Sequence, residues 1–249
     1  MSTHPFPEIL GVYSLQKTSE IGTGGTASRQ HQVTYWYARR LDEQRFEVQP
    51  LNVHHVPSGL RKEVPELEFL KNYVPEPDYY NRHTVPALAT LARKIEQGEK
   101  FFSMNKLDDA EREFLKALMI DESNVRANFG LGEVYSEKKD FVKLKKVLDT
   151  LLGLDEAFHF EQRTRFNSFG ISLRKNGHLE ESLRYYRKAL EYNDRDEHMY
   201  FNIARVYFDK GERNKCCELL SAALEINPGF EEAQRFLRFC SRDCAGQGA

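Results

Sequence analysis

The residues with the greatest chemical potential are four cysteines, Cys216, Cys217, Cys240 and Cys244. A vicinal pair and a second pair four residues apart on a helix could meet as a four-thiolate zinc site, because zinc accepts tetrahedral sets of thiolates. The spacing lacks the usual CxxC, and Cys216 falls where a small buried residue is needed, so the thiols read as packing groups and no metal is expected. Their clustering is unlike a disulfide framework spread over a secreted domain. His54-His55 has no carboxylate cluster beside it and reads as surface. The run Gly22-Thr23-Gly24-Gly25-Thr26 lacks the Gly-Lys-Ser/Thr ending of a phosphate loop and leads into a strand, so it reads as a flexible connection. No nucleophile, base and orienting group can be picked out, although such sets can be discontinuous in sequence. These side chains point away from catalysis, and no cofactor is expected.

Bulk properties narrow the partners. Lys and Arg number 36 against 38 Asp and Glu, a net charge of −2, with no basic excess of the kind that marks a nucleic-acid binder. Hydrophobic residues make up 40% and charged residues 30%, ordinary for a soluble helical protein and too apolar for a disordered one. The 249 residues suit one large domain or two small ones. The opening Met1-Ser2-Thr3-His4-Pro5-Phe6-Pro7 is no secretory signal, and no apolar run approaches the roughly 20 residues that span a bilayer. A reducing cytoplasm is the expected location, with no membrane insertion.

The elements that position these residues follow two periods. Val33, Tyr35 and Tyr37 alternate with Thr34, Trp36 and Ala38; after the polar turn Asp42-Glu43-Gln44, Phe46 and Val48 alternate with Glu47 and Gln49. This is a hairpin signal, with Val12 to Lys17 as a third strand. Pro50 makes the second arm an edge or ends it. Pro65 can open a short helix over Glu66 to Lys71, and Pro75 and Pro77 favour extended chain through Asp78-Tyr79-Tyr80. Tyr73, Tyr79 and Tyr80 are expected to pack, and the sheet's aromatics to dock on the first helices as a cap or a plug.

From Pro86 to about Cys240 the period is helical. Leu107-Asp-Asp-Ala110-x3-Phe114-x2-Ala117 matches Leu179-Glu-Glu-Ser182-x3-Tyr186-x2-Ala189, and Phe141-x2-Leu144-x3-Leu148-x2-Leu151 and Arg213-x2-Cys216-x3-Leu220-x2-Ala223 fit the same frame. The anchors Ala110, Leu144, Ser182 and Cys216 are 34, 38 and 34 residues apart. Twelve residues before each stands a small residue, Gly98, Gly132, Gly170 or Ala204, followed three later by Phe101, Tyr135, Leu173 or Tyr207. The pattern resembles the tetratricopeptide repeat family, whose unit is about 34 residues. The resemblance implies a mainly α fold: a right-handed α-solenoid of four helix pairs over 91–124, 125–158, 163–196 and 197–230, with a cap helix at 231–241, inside a domain spanning 85–244. A small antiparallel β region with a proline-rich tether precedes it over 1–84, and resembles no family.

Departures from the repeat carry expectations. Leucines at both small helix-B positions of the second unit, Leu144 and Leu151, suggest helices set further apart. The four residues from His159 to Gln162 are an insertion expected to lengthen the next helix by a turn. Lys94 and Gln97 stand where bulky residues are usual, making the first unit atypical. The cap helix should turn Ala233, Phe236, Leu237 and Cys240 to one face.

The resemblance also implies a function: binding another protein or peptide on the concave face formed by the first helix of each pair. Its ligand-facing positions carry over to Ile95 and Phe102; Arg126, Phe129 and Glu133; Thr164, Asn167, Ile171, Arg174 and Lys175; and His198, Phe201, Asn202, Arg205 and Phe208. Aromatics among arginines are the composition of a binding hot spot. The alternative is that Phe129 and Phe201 pack against neighbouring repeats, and that Arg174, Lys175 and Arg205 pair with Glu133 and Asp209. The Lys and Asn set that holds a terminal carboxylate in some members is not matched, since Ile95, Glu99, Gly130, Thr164 and Ser168 occupy those places. Two other readings stay open: a regulatory or enzymatic β region, which needs Trp36, Tyr37, His54 and His55 to converge on a pocket, and self-association through the solenoid ends.

Overall fold

The computed structural model describes residues 6–21, 28–159 and 162–245. The Gly22–Thr26 connection lies outside them. The chain divides into two compact units, Met1–Lys100 with Arg112–Asn124, and Phe101–Glu111 with Val125–Ala249. The division therefore does not fall at residue 84: much of the first helix pair belongs with the sheet.

In the first unit, aromatic and β-branched alternation builds a five-stranded antiparallel sheet, not a bare hairpin. Its strands are β1 (Glu8–Ile21), β2 (Ser28–Arg40), β3 (Arg45–Pro50), β4 (Lys62–Pro65) and β5 (Tyr73–Pro75), in the order β4-β3-β2-β1-β5. β4 and β5 are short and proline-bearing, which hides their period. β3 is internal; Pro50 ends it opposite Trp36, past the stretch that pairs with β4, so the missing N–H costs that ladder nothing. At Gly11 the β1 register shifts, φ is +99°, and a Cβ would stand 3.3 Å from the Tyr80 ring, so only glycine suits the place.

Each sheet face finds its own cover. On one, Ala38, Phe46, Val48 and Val64 meet Phe69 and Tyr73, with Phe69 stacked on Phe46 at 4.3 Å; Phe69 comes from α1 (Glu66–Asn72), capped by Pro65 as expected. On the other, Tyr79 stacks on Tyr35 at 4.0 Å and Tyr80 lies 6.3 Å from Tyr37. The tyrosines thus cover the sheet itself; they are not docked on the first repeat. The chain at 78–80 is helical, not extended: α2 (Pro77–Tyr79) passes through a π-turn (Tyr80–Thr84) into α3 (Val85–Ser103). The wide turn closes on the Val85 N–H to Tyr80 carbonyl bond just before Pro86, which has no N–H to continue a regular ladder. What reaches the helices is the 52–58 loop. Asn52 Nδ2 donates to the Ile120 carbonyl at 2.7 Å and Ser58 Oγ to Asp121 Oδ1 at 2.9 Å, at the end of α4 (Leu107–Ile120). Gly98 sits against the Phe114 ring, Lys94 pairs with Glu113 at 3.2 Å, and Ile95 is buried, so Ile95 faces the core and not a ligand.

The second unit stacks three helix pairs and one more helix: α5 (Val125–Lys138) with α6 (Phe141–Leu152), α7 (Arg163–Lys175) with α8 (Leu179–Tyr192), α9 (Glu197–Asp209) with α10 (Arg213–Ile226), then α11 (Glu231–Ala245). Each helix-A end turns through one left-handed residue, Asn105, Lys139, Gly177 or Gly211, in the 34, 38, 34 rhythm of the anchors. At Gly211 the Gly211 N–H bonds Phe208 and the Glu212 N–H bonds Tyr207, which satisfies the last carbonyls of α9. The small residues do the expected work. A Cβ on Gly170 would fall 2.4 Å from Tyr186 Cζ, and Ser182 Oγ reaches the Gly170 carbonyl at 3.1 Å. At Gly132 the neighbour is Phe169 of the following pair, because Leu148 is too short to fill the space a ring takes elsewhere. Leu144 and Leu151 are buried. The insertion does not lengthen α7, whose 13 residues equal those of α9. It follows a 3₁₀ turn (Asp155–Phe158), with residues 160–161 outside the described set, and Gln162 caps α7 at φ −94°. No helix of the described residues is long and apolar enough to cross a membrane.

Candidate functional site

α7 carries Thr164, Asn167, Ile171 and Arg174 at intervals of three or four, so they form one stripe along it. α9 presents His198, Phe201, Asn202, Arg205 and Phe208 beside that stripe. Asp196 fixes the start of α9: its carboxylate accepts from the His198 N–H at 3.0 Å and from Arg163 at the start of α7. The two helices thus begin in register.

Between them lie two adjoining clefts that share Phe201. The larger, about 470 Å³, is lined by Thr164, Asn167, Ile171, His198, Asn202 and Phe230, with Glu232 at its rim. The smaller, about 330 Å³, is lined by Arg174, Arg205, Phe208, Asp209 and Phe236. Phe201 lies 5.1 Å from Phe230 and 6.1 Å from Phe236, and Phe208 lies 5.2 Å from Phe236. Cations lie across these rings, Arg205 Cζ 5.9 Å from the centre of Phe201 and Arg213 Cζ 5.1 Å from that of Phe208. Arg174 pairs with Asp209. Burial and the like charge of Arg174 push the Arg205 pKa below the ordinary arginine value.

Of the residues expected at the groove, Asn167, Arg174, Phe201, Asn202, Arg205 and Phe208 are brought together here. Lys175 is exposed just past Arg174 and lines neither cleft; Arg126 and Phe102 are half-buried and also lie outside them. Phe129 is corrected outright: it is 2% exposed and packs against Phe169 at 5.8 Å and Tyr185 at 6.3 Å, because α5 is buried on nearly all sides. The ion-pair alternative holds for Arg174 alone, since neither Lys175 nor Arg205 forms an ion pair among the described residues. Sequence reasoning missed Phe230 and Glu232, whose signal lay in the turn and first residues of α11, and placed Phe236 only on a packing face.

The other candidates are placed as follows. Cys216 and Cys240 are buried with sulfurs 3.6 Å apart, and burial pushes the Cys216 thiol far up, as suits a small packing group; the Cys244 side chain lies outside the description. Ala233 and Cys240 are fully buried on α11, as the cap-helix pattern implies. Trp36 faces Tyr73 on one side of the sheet while Tyr37 faces Tyr80 on the other, so they line no common pocket. His55 Nδ1 meets the Tyr79 hydroxyl at 2.7 Å, and His54 is exposed.

Tetratricopeptide repeat models match residues 168–213 and 197–230. The chain is 26% identical over 148 residues to the anaphase-promoting complex subunit CDC16 of Saccharomyces cerevisiae, covering 58% of this chain and only 18% of that protein. Among solved structures, MamA from Desulfovibrio magneticus is 15% identical with a TM-score of 0.47, covering 63% of this chain and 86% of that one. Pseudomonas aeruginosa pilF is 16% identical with a TM-score of 0.48, covering 64% and 70%. With the 34-residue rhythm and the close helix contact at Gly170, the direct matches place tetratricopeptide repeats at residues 168–230, and repeats of this kind form protein–protein interaction modules.

Proposed function

We propose that the chain binds a segment of another protein along the groove between α7 and α9, and so acts as an adaptor. The observation that carries this is the meeting of Phe201, Phe208, Phe230 and Phe236 with Arg174 and Arg205 around two open clefts. Aromatic and arginine side chains in a desolvated pocket are where binding energy concentrates. The rings come from α9, from α11 and from the turn before it, and α10 packs on both helices, so the surface exists before a partner arrives and little ordering cost is left to binding.

The test is affinity capture with the intact chain and with the Phe201→Ala/Arg205→Glu variant, both checked for helical content. Loss of the captured proteins from the variant is expected. Equal capture by a folded variant would remove the groove as the site.

A further inference from the structure

The groove holds polar groups that the protein leaves unmet. Asn202 is nine-tenths buried and lines the larger cleft, yet its amide makes no side-chain hydrogen bond among the described residues. On α7 across the cleft, Asn167 Oδ1 is buried without a partner. A buried polar atom left unsatisfied costs about 1–3 kcal/mol, so the Asn167 oxygen is a standing cost unless something else meets it, and the Asn202 amide beside it is unpaired among the described residues. An asparagine amide offers one acceptor and two donors, the complement of a peptide bond.

The smaller cleft is unmet in charge. It holds two guanidiniums, Arg174 and Arg205, and one carboxylate, Asp209, which Arg174 engages. Arg205 makes no hydrogen bond or ion pair among the described residues and lies half-buried across Phe201. The cleft is one negative charge short of neutral. That deficit fits a carboxylate better than a phosphate group, which brings nearly two charges.

We propose that the groove takes an extended peptide whose backbone amides pair with Asn167 and Asn202, whose aspartate or glutamate side chain pairs with Arg205, and whose neighbouring apolar side chain lies among Phe201, Phe208 and Phe236. The inference rests on the groove reading above and adds to it the chemistry of the ligand. Contact with Arg205 also explains its lone position: a planar guanidinium held against a ring is preorganised for a carboxylate.

Selection of random short peptides displayed on phage against the full chain tests this, because display blocks the peptide's own terminal carboxylate and leaves only side chains to supply acid. Enrichment of Asp or Glu next to an apolar residue is expected. A selected peptide, measured by fluorescence anisotropy, should lose on the order of tenfold or more in affinity with Arg205→Glu. Replacing its acid by lysine should restore part of that loss. Arg205→Gln serves if Arg205→Glu does not fold. Asn202→Ala should weaken binding whatever the peptide's acid.

Enriched peptides without an acid, acid enrichment unchanged by Arg205→Glu, or no enrichment at all would overturn the inference. Peptides that need Phe201 but carry no acid would leave the groove reading standing. Peptides indifferent to both Phe201→Ala and Arg205→Glu would end that reading too. A parallel set of synthetic peptides with free C-termini separates the remaining source: acid required only as the terminal carboxylate also overturns it.

Discussion

Gly170→Ala tests the packing that spaces the repeats. An added Cβ would stand 2.4 Å from Tyr186 Cζ, 2.5 Å from its hydroxyl oxygen and 2.7 Å from Cε1. The ring cannot swing aside, for Tyr186 is 1% exposed and flanked by Phe166 at 5.9 Å and Tyr185 at 6.2 Å. Overpacking of this kind costs about 1–3 kcal/mol, and a clash at three atoms belongs at the upper end. Alanine returns about 1 kcal/mol in helix propensity. The net loss is about 2 kcal/mol, a fall in Tm of roughly 4–8 °C for a unit of this size. Thermal and urea unfolding followed by circular dichroism measure it. Gly153→Ala is the control: Gly153 has φ −89° and no atom nearer than 3.4 Å, so it should lose nothing. Adding Tyr186→Leu to Gly170→Ala should cost less than the two single losses combined, because the shorter side chain removes the clash. If Gly170→Ala is as stable as the parent, the helices of this pair are not held at the separation described.

Other outcomes follow from the same geometry. Lys139→Gly should raise stability by a few tenths to about 1 kcal/mol in urea unfolding, since Lys139 sits at φ 57° where Gly177 and Gly211 stand in the later turns. Burial works to raise the Glu111 pKa, but hydrogen bonds from Lys138, Lys143 and Tyr135 outweigh it and hold the value down to about 2. A depressed carboxylate stabilises the fold above its unfolded pKa, and that contribution is lost as pH falls from about 4.5 toward 2; the stability gap between parent and Glu111→Gln should narrow over this window. A chain beginning at Thr84 should melt lower than the full chain, because it loses the Asn52 and Ser58 bonds to the end of α4; an unchanged Tm would show the sheet to be an independent module. Mass mapping after brief alkylation should find Cys217, which is half-exposed, modified ahead of the fully buried Cys216 and Cys240.

The repeats were legible because their register is written in residue size. Gly98, Gly170 and Ser182 are small where helices touch, and Phe114 and Tyr186 are large beside them, so spacing alone fixed the pairs. Phe129 escaped the same logic. Its position faces a ligand in an average unit, but Phe169 and Tyr185 enclose it here, and a repeat frame does not record which neighbours are large. The strands β4 and β5 were hidden because three or four residues carry no period. Asp78-Tyr79-Tyr80 was misread because proline at the first helical turn and proline in extended chain look alike until the Tyr79 and Tyr80 rings are seen on the sheet. Half of the groove was legible in α7 and α9; the part supplied by Phe230, Glu232 and Phe236 depended on where α11 packs.

The central claim is that partners meet the face between α7 and α9. Site-specific photocrosslinking tests it most directly, with a photoreactive phenylalanine analogue at Phe208 in the smaller cleft, or at Glu218, exposed on α10. Crosslinks to a captured partner from Phe208 and none from Glu218 are the predicted result. Crosslinks from Glu218 with none from Phe208, on equally folded chains, would contradict the account.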